Sequence, residues 1–202
     1  ELVAEHLKKV IEICNKYGLE PEIWGDMFFR TVFKEYYAFG KKFDKSFAKK
    51  VPEGVKIYYW DYYHLKQEEY EEMIDLHRQL YSTPGFAGGL YTWIGFAPHN
   101  DFSIASMTPA LRACRKKKID DIIMTLWGDN GNECSRFSVL PSMLHMAELC
   151  YDEGIDVDSM DKKMFSLCGY TYREMLALDK PNILYEGESD RPQVAVRLLR
   201  HF

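Results

Sequence analysis

The sequence predicts an α/β fold in which four strand–helix units follow one another along the chain. Short apolar segments alternate with amphipathic segments of helical spacing, and this alternation is typical of a parallel sheet. A tryptophan stands near the carboxyl end of each apolar segment, and successive tryptophans are 36, 33 and 34 residues apart. Because one strand–helix unit takes on the order of 30 residues, the spacing indicates a regular repeat, whose tryptophans are Trp24, Trp60, Trp93 and Trp127.

The chain opens with an amphipathic helix, which Gly18 ends. Pro21 then introduces the apolar segment EIWGDMFF, which we predict to be the first strand. A second helix and a basic loop through Lys50 follow. The apolar positions that indicate the two helices recur at helical spacing: Leu2, Val3, Leu7, Val10, Ile11 and Cys14 in the first, and Val32, Phe33, Tyr36 and Tyr37 in the second.

The other three units have the same order. The segment GVKIYYWDYY predicts the second strand, which a helix over residues 67–81 follows. The segment AGGLYTWIGF predicts the third strand, after which Thr108 as the N-cap and Pro109 at the first helical position open a helix that runs to Lys118. The segment IDDIIMTLWGD predicts the fourth strand, and a helix over 138–152 follows it.

The pattern changes to short helices after Gly154. Thr171 and Glu174 form a capping box, which marks the start of one of them, and the chain closes on VAVRLLRHF. Acidic side chains that follow Asp152 are expected on the surface. We therefore divide the chain into residues 1–153, which carry the four units, and a helical extension over 154–202.

The regular repeat favours a (β/α)8 TIM barrel over a doubly wound sheet, and the sequence contains no glycine-rich phosphate loop. Four units make only half a barrel, and a half barrel leaves two strand edges open. The predicted fold is thus α/β: the C-terminal half (four βα units) of a (β/α)8 TIM barrel with a short C-terminal helical extension. We expect the chain to need the N-terminal half barrel or to self-associate.

Composition narrows the class of protein. The 202 residues are 47% hydrophobic, which suffices for a sizeable core, and a net charge of −5 gives no indication of a nucleic-acid or membrane partner. Five scattered cysteines without CxxC pairing indicate a reduced, cytoplasmic protein. No cofactor is expected, because His64, His99 and His145 form neither an HxH nor an HExxH pattern and so predict no metal site.

Acidic residues accompany three of the four tryptophans. In a barrel of this kind the side chains at the carboxyl ends of the strands line the active site. The apolar face of a pyranose ring stacks on indole, and its hydroxyls suit carboxylate acceptors, so this pattern suggests a neutral carbohydrate. The alternative is that each tryptophan fills a barrel layer and each aspartate caps the next helix. It explains a single pair better than it explains why all four tryptophans lie at one end, since stability should not depend on which end they occupy. The three pairs are Trp24 and Asp26, Trp60 and Asp61, and Trp127 and Asp129.

At WGDMFFR, YYWDYYH and LWGDNGNE the chain resembles the family 20 glycoside hydrolases, the β-N-acetylhexosaminidases, and in particular their intracellular branch similar to hexosaminidase D. The resemblance covers residues 1–152. It implies a (β/α)8 barrel that removes terminal β-linked GlcNAc or GalNAc with retention. The nucleophile in such enzymes is the substrate's own 2-acetamido oxygen rather than a second carboxylate.

The chain departs from the family at the catalytic pair. The family places adjacent Asp and Glu residues after the fourth barrel strand, where they orient the acetamide and protonate the leaving group. This sequence opens at the helix that follows that strand, and its one Asp-Glu dipeptide, at residues 152–153, ends a helix instead. We therefore expect the catalytic pair upstream, and we expect the isolated chain to be inactive.

The resemblance also implies roles for the residues that hold the sugar. Trp127 corresponds to the family's stacking tryptophan, and Asp129 to the carboxylate that accepts the 4- and 6-hydroxyls. The catalytic tyrosine that binds the acetamide oxygen falls at Tyr62 or Tyr63, and Tyr62 is favoured because strand alternation lets only one of them point inward. Further substrate-binding positions are the acetamide wall Trp24 with Asp26 beside it, the neighbouring pair Trp60 and Asp61, and the wall Trp93.

Two alternatives stay open. The first is a different TIM-barrel hydrolase or isomerase that acts on sugars, with Asp26, Asp61 and Asp129 as its acids. The second is a non-catalytic sugar-binding or structural half barrel. A requirement for the 2-acetamido group separates the first from the family assignment, since that requirement is peculiar to substrate-assisted chemistry.

Overall fold

A computed structural model of the chain describes residues 2–81, 83–129, 131–152 and 154–182. It is a mixed α/β structure with a parallel sheet of four strands in the order β1-β2-β3-β4. The predicted α/β class with a parallel sheet is confirmed, and the half barrel stays a prediction. The helices and strands, in chain order, are α1 Leu2–Lys16, β1 Glu22–Trp24, α2 Asp26–Phe33, α3 Lys45–Ala48, β2 Lys56–Trp60, α4 Gln67–Arg78, β3 Gly85–Gly89, α5 Asn100–Lys116, β4 Ile122–Thr125, α6 Leu140–Tyr151, α7 Val157–Cys168 and α8 Tyr172–Leu176.

The described residues form two compact units. The first unit comprises residues 2–61, 66–87 and 112–123, and the second comprises 62–65, 88–111 and 124–182. Strands β3 and β4 therefore begin in the first unit and end in the second. Two short 3₁₀ helices, Arg136–Val139 and Ala177–Asn182, belong to the second unit. The terminal segment VAVRLLRHF lies outside the described residues.

An aromatic core fills the first unit. Strand β2 contributes Ile57 and Tyr59, both fully buried, because the strand is covered on both faces. The ring of His77 on α4 lies 4.4 Å from Phe29 and 4.9 Å from Tyr59, centroid to centroid. Its Nδ1 lies 2.7 Å from the carbonyl oxygen of Met73. Burial lowers the pKa of His77 to about 3, so the imidazole is held neutral inside the core.

Asp179 ties the C-terminal helices of the second unit to the start of α5. Its carboxylate is 1% exposed and accepts hydrogen bonds from the amide nitrogen of Asp101 and from Nδ2 of Asn100, each at 2.8 Å. Asn182 adds a bond from its Nδ2 to the carbonyl of Pro98, at 2.6 Å. The expectation that acids after Asp152 lie on the surface is therefore wrong for Asp179.

The same contact corrects the predicted start of α5. Thr108 and Pro109 lie inside the helix, which begins eight residues earlier at Asn100. A carboxylate 78 residues further along the chain accepts the amide hydrogen at this end of the helix, and such a distant cap leaves no local signal. Thr-Pro imitates a helix start because proline lacks the amide hydrogen that the first turn does not use.

All four strands end earlier than the predicted segments, and the structure shows the cause for two of them. Strand β1 stops at Trp24, since Gly25 turns the chain so closely against His77 that an added Cβ would lie 2.5 Å from its Nε2. Strand β3 stops at Gly89 because the amide of Tyr91 donates to Oγ of Ser103, 2.9 Å away, instead of to a neighbouring strand.

Helices α2 and α3 also differ from the prediction. Helix α2 begins at Asp26 and ends at Phe33, because the next residue, Lys34, adopts a left-handed φ of 67°. Tyr36 and Tyr37 therefore lie outside the helix. The short helix α3 interrupts the predicted basic loop. The fourth unit matches better, since α6 follows a 3₁₀ turn at 136–139, and the Thr171–Glu174 capping box is present. Among the described helices, none has the length and apolar character needed to cross a membrane.

Replacing Asp179 with asparagine should destabilise the protein. The amide group keeps one acceptor oxygen but turns the other position into a donor, so one buried hydrogen-bond donor at the start of α5 loses its acceptor. We expect the free energy of unfolding, measured with urea at neutral pH, to fall by about 1–3 kcal/mol. The control is Asp158→Asn, which touches an exposed ion pair with Arg173 and should change stability far less. Equal losses in the two variants would contradict the role of Asp179 as a distant cap.

The buried His77 should make stability depend on pH below neutrality. Its folded pKa of about 3 lies below the ordinary value of 6.5, so the unfolded chain takes up a proton first as the pH falls. Its contribution is complete above about pH 6.5 and is lost between pH 6.5 and 3, at up to about 1.4 kcal/mol per pH unit. His77→Phe keeps the ring packing and should flatten this slope in urea titrations, whereas the exposed His6→Gln should not. Parallel slopes for wild type and His77→Phe would exclude His77 as the source.

Candidate functional site

All four tryptophans lie at or just beyond the carboxyl end of a strand. Trp24 and Trp60 are the last residues of β1 and β2. Trp127 follows the end of β4 by two residues, and Trp93 follows the end of β3 by four. The repeat read from the sequence is thus a repeat of strand ends.

In the first unit, Trp24 and Asp26 lie at the end of β1. Trp24 is 41% exposed and meets the ring of Tyr58 edge-on, with 6.1 Å between the centroids. Asp26 begins α2 and pairs with Arg30 one turn later, at 3.2 Å between Oδ2 and Nε. The exposed indole is available to a ligand, while part of the Asp26 carboxylate is occupied by the arginine.

Trp60 and Asp61, also in the first unit, are held more tightly. The amide of Trp60 donates to the hydroxyl of Tyr36 at 3.0 Å, and the two rings are 4.7 Å apart. Asp61 is fully buried, and its carboxylate accepts a hydrogen bond from the hydroxyl of Tyr59 at 2.5 Å. Burial and the Asp61 charge raise the pKa of Tyr59 well above its ordinary value, so the phenol stays a donor.

The second unit contains an enclosed aromatic cluster. The rings of Tyr62 and Trp93 are 5.5 Å apart at 65°, and Trp93 stacks on Tyr91 with 4.0 Å between the centroids. The Tyr91 hydroxyl donates to the carbonyl of Tyr62 at 3.0 Å, which fixes the backbone of the loop after β2. Tyr62 is 6% exposed and Tyr63 is 45% exposed. Both tyrosines lie beyond the end of β2 at Trp60, so strand alternation does not apply to them. Tyr62 is the more buried of the two, and which of them faces a substrate stays a prediction.

Gly89, the last residue of β3, lies directly beneath this cluster. A Cβ at that position would lie 2.8 Å from Cη2 of Trp93 and 2.8 Å from Cδ1 of Tyr62, so only glycine lets both rings rest on the strand. Sequence reasoning missed this residue. The available signal was the Gly-Gly pair at the end of an apolar strand, since glycine inside a strand often marks the close approach of another group.

Trp127 and Asp129 lie in a turn after β4. The backbone carbonyl of Trp127 accepts a hydrogen bond from the Thr92 hydroxyl at 2.9 Å, which links this turn to the residue before Trp93. Asp129 is exposed, and its backbone carbonyl accepts from the amide of Asn132 at 3.4 Å. The turn keeps the Asp129 side chain at the surface. The substrate-binding roles of these residues and of those in the first unit stay predictions.

Neighbouring groups or burial account for the environments of His99, His145 and Cys134. Nε2 of His99 lies 3.2 Å from the carbonyl of Ile94, and Nδ1 of His145 lies 2.9 Å from the hydroxyl of Tyr172. Burial raises the pKa of Cys134, which favours the neutral thiol. Within the described ranges, no three His, Cys, Asp or Glu side chains are placed to hold a metal ion.

Comparison with known proteins adds no relative to this picture. No protein-family model matches the chain, and no curated protein matches its sequence.

Replacing Gly89 with alanine should disturb the aromatic cluster. The added methyl group must displace Tyr62 or Trp93, and overpacking of this kind costs about 1–3 kcal/mol. We expect a changed near-ultraviolet circular dichroism signal and a lower urea midpoint. The control is Gly154→Ala, where the nearest atom to an added Cβ is 4.0 Å away. If both variants kept the wild-type aromatic signal, the rings would not rest on Gly89.

Proposed function

We propose that the chain is the substrate-holding half of a β-N-acetylhexosaminidase barrel. In this proposal the intact parent removes terminal β-linked GlcNAc or GalNAc by substrate-assisted chemistry, and the catalytic Asp-Glu pair comes from outside this sequence. The single observation that carries the proposal is the Tyr62–Trp93 cluster, which is fixed on Gly89 beside the end of a strand.

The cluster combines the two properties that an acetamido sugar needs. Tyr62 and Trp93 are 6% and 7% exposed, so in this proposal the small exposed part of their rings contacts the methyl group of the acetamide. Tyr62 adds a phenol, which can donate a hydrogen bond to the acetamide oxygen. In the substrate-assisted reaction this oxygen attacks the anomeric carbon as the leaving group departs. A donor that stays on the oxygen stabilises the charge that develops on the oxazoline-like intermediate.

Asp129 supplies the second contact of the proposal. Its carboxylate is exposed at the turn after Trp127. There it can accept hydrogen bonds from the 4- and 6-hydroxyls of a sugar that stacks on the indole. Asp61 differs, because it is fully buried against the Tyr59 hydroxyl. This burial disfavours the alternative hydrolase or isomerase that uses Asp61 as one of its acids.

The fourth strand supports the larger barrel. All five residues of β3 are buried, whereas β4 has no buried residue, and Ile123 is 40% exposed. Strands of a parallel sheet are ordinarily covered on both faces and read as apolar runs. We propose that further strand–helix units of the parent, or a second copy of the chain, cover β4.

The chain should bind an acetamido sugar without hydrolysing one. Saturation-transfer NMR should detect millimolar binding of GlcNAc, weaker binding of glucose, and no hydrolysis of an aryl N-acetylglucosaminide above background, because loss of the general acid alone costs roughly 10²–10⁴-fold in rate. Tyr62→Phe should weaken GlcNAc binding only. Asp129→Ala should weaken binding of both sugars by roughly tenfold to a hundredfold, the equivalent of about 1–3 kcal/mol.

Thermal unfolding of the same variants serves as the control. Asp129→Ala should change the melting temperature little, since Asp129 is exposed. Tyr62→Phe keeps the aromatic ring, and its affinity for GlcNAc is measured well below its own melting temperature. Equal affinity for GlcNAc and glucose would favour a different sugar-binding protein. A lowered melting temperature with unchanged binding in Asp129→Ala would mean that Asp129 serves the turn alone, and robust hydrolysis by the chain would contradict the missing catalytic pair.

A further inference from the structure

A cavity of about 540 Å³ opens in the first unit between α1, α2 and the segment that leads into β2. Its volume is in the range of small-molecule sites, about 300–1,000 Å³. Its apolar lining comes from all three elements, and Phe47 in that lining is held by stacking on Phe43 at 5.5 Å. The apolar lining residues are Val3, Ala4, Phe28, Phe47, Val51 and Pro52.

Three lysines also line this cavity. Lys8 comes from α1, and Lys49 and Lys50 come from the end of the basic segment that the sequence places before β2. In the ranges that the structure describes, no ion pair within 4 Å involves these lysines. Glu5 and Glu53 also line the cavity, so its charged groups carry a net charge of +1.

We infer that this cavity binds a small amphipathic monoanion, an apolar chain or ring that carries one carboxylate. The apolar lining removes the hydrocarbon part from water. The lysines are exposed, so they attract the anionic end by an interaction that salt screens. Glu5 and Glu53 repel additional negative charge. The cavity therefore selects a single charge over a polyanion such as a nucleotide triphosphate.

This site is separate from the strand ends that carry the tryptophans. Residues 51–53 lead into the amino end of β2, whereas Trp24 and Trp60 stand at carboxyl ends. The inference consequently does not depend on the proposed sugar chemistry, and either one can fail alone.

Octanoate and octanol form a matched pair of probes, because they share an alkyl chain and differ in charge. Isothermal titration calorimetry on the 202-residue chain should show saturable binding of one octanoate, weakened by added salt. Octanol should bind at least about fivefold more weakly, because it lacks the carboxylate that the lysines attract. Inorganic phosphate, which lacks the apolar part, should give no saturable binding.

Three variants localise the site. The double variant Lys49→Gln/Lys50→Gln should weaken octanoate binding about fivefold and remove most of its salt dependence, while Lys42→Gln, in the same basic segment but outside the lining, should match wild type. Ala4→Leu fills the cavity from α1 with a residue of good helix propensity and should abolish binding with no fall in melting temperature.

Several outcomes would overturn the inference. These are the absence of saturable octanoate binding in the millimolar range, equal affinity for octanoate and octanol, and unchanged octanoate affinity in Ala4→Leu or in the double lysine variant. Circular dichroism of each variant is the control, because a variant that loses octanoate binding but keeps the wild-type spectrum has lost the site and not the fold.

Discussion

Close packing against a glycine-rich strand is the constraint on which the rest of the structure depends. Three of the five residues of β3 are glycines, and each lies under a side chain that occupies the space of its missing Cβ. Gly85 lies under Tyr58 in the first unit. In the second unit Gly88 lies under Met107, with its Sδ 2.5 Å from the position of an added Cβ, and Gly89 lies under Tyr62 and Trp93. Glycine weakens a strand by itself, and here the buried side chains from both faces offset that loss. The aromatic cluster has its position because Gly89 has no Cβ where the rings of Tyr62 and Trp93 lie.

The parts of the fold that were predictable from sequence are those whose cause is local. Apolar runs gave β2 and β4, helical spacing gave α1, and the Thr171–Glu174 box gave α8. The start of α5 was not predictable, because its cap is a carboxylate 78 residues away. The end of β3 was missed for a similar reason, since Ser103 on α5 accepts the hydrogen bond that the amide of Tyr91 would otherwise donate to a neighbouring strand. Tertiary partners decide these boundaries, and no window of sequence contains them.

The candidate site shows the same division. Regular spacing was enough to place the four tryptophans at or just beyond strand ends. Strand alternation could not decide between Tyr62 and Tyr63, because β2 ends at Trp60, before both of them. Tyr91 and Gly89 were missed because their importance lies in which rings they contact. Spacing along the chain shows how often a strand–helix unit repeats. The contacts at a strand end involve residues from loops that are distant in the sequence, and spacing does not show them.

Two Trp-Asp pairs that look alike in the sequence have opposite environments. Asp61 directly follows Trp60, is fully buried and accepts from Tyr59, so it stabilises the end of β2. Asp129 follows Trp127 after one glycine and stays exposed, since the turn keeps its side chain at the surface. A carboxylate that is already enclosed by a phenol has little capacity left for a sugar hydroxyl, and reaching it would require exposing the core around Tyr59. An exposed carboxylate beside an indole needs no such change. The chemical role of a strand-end acid is therefore decided by what encloses it, and this is the reason for which the proposed sugar contacts rest on Asp129 rather than on Asp61.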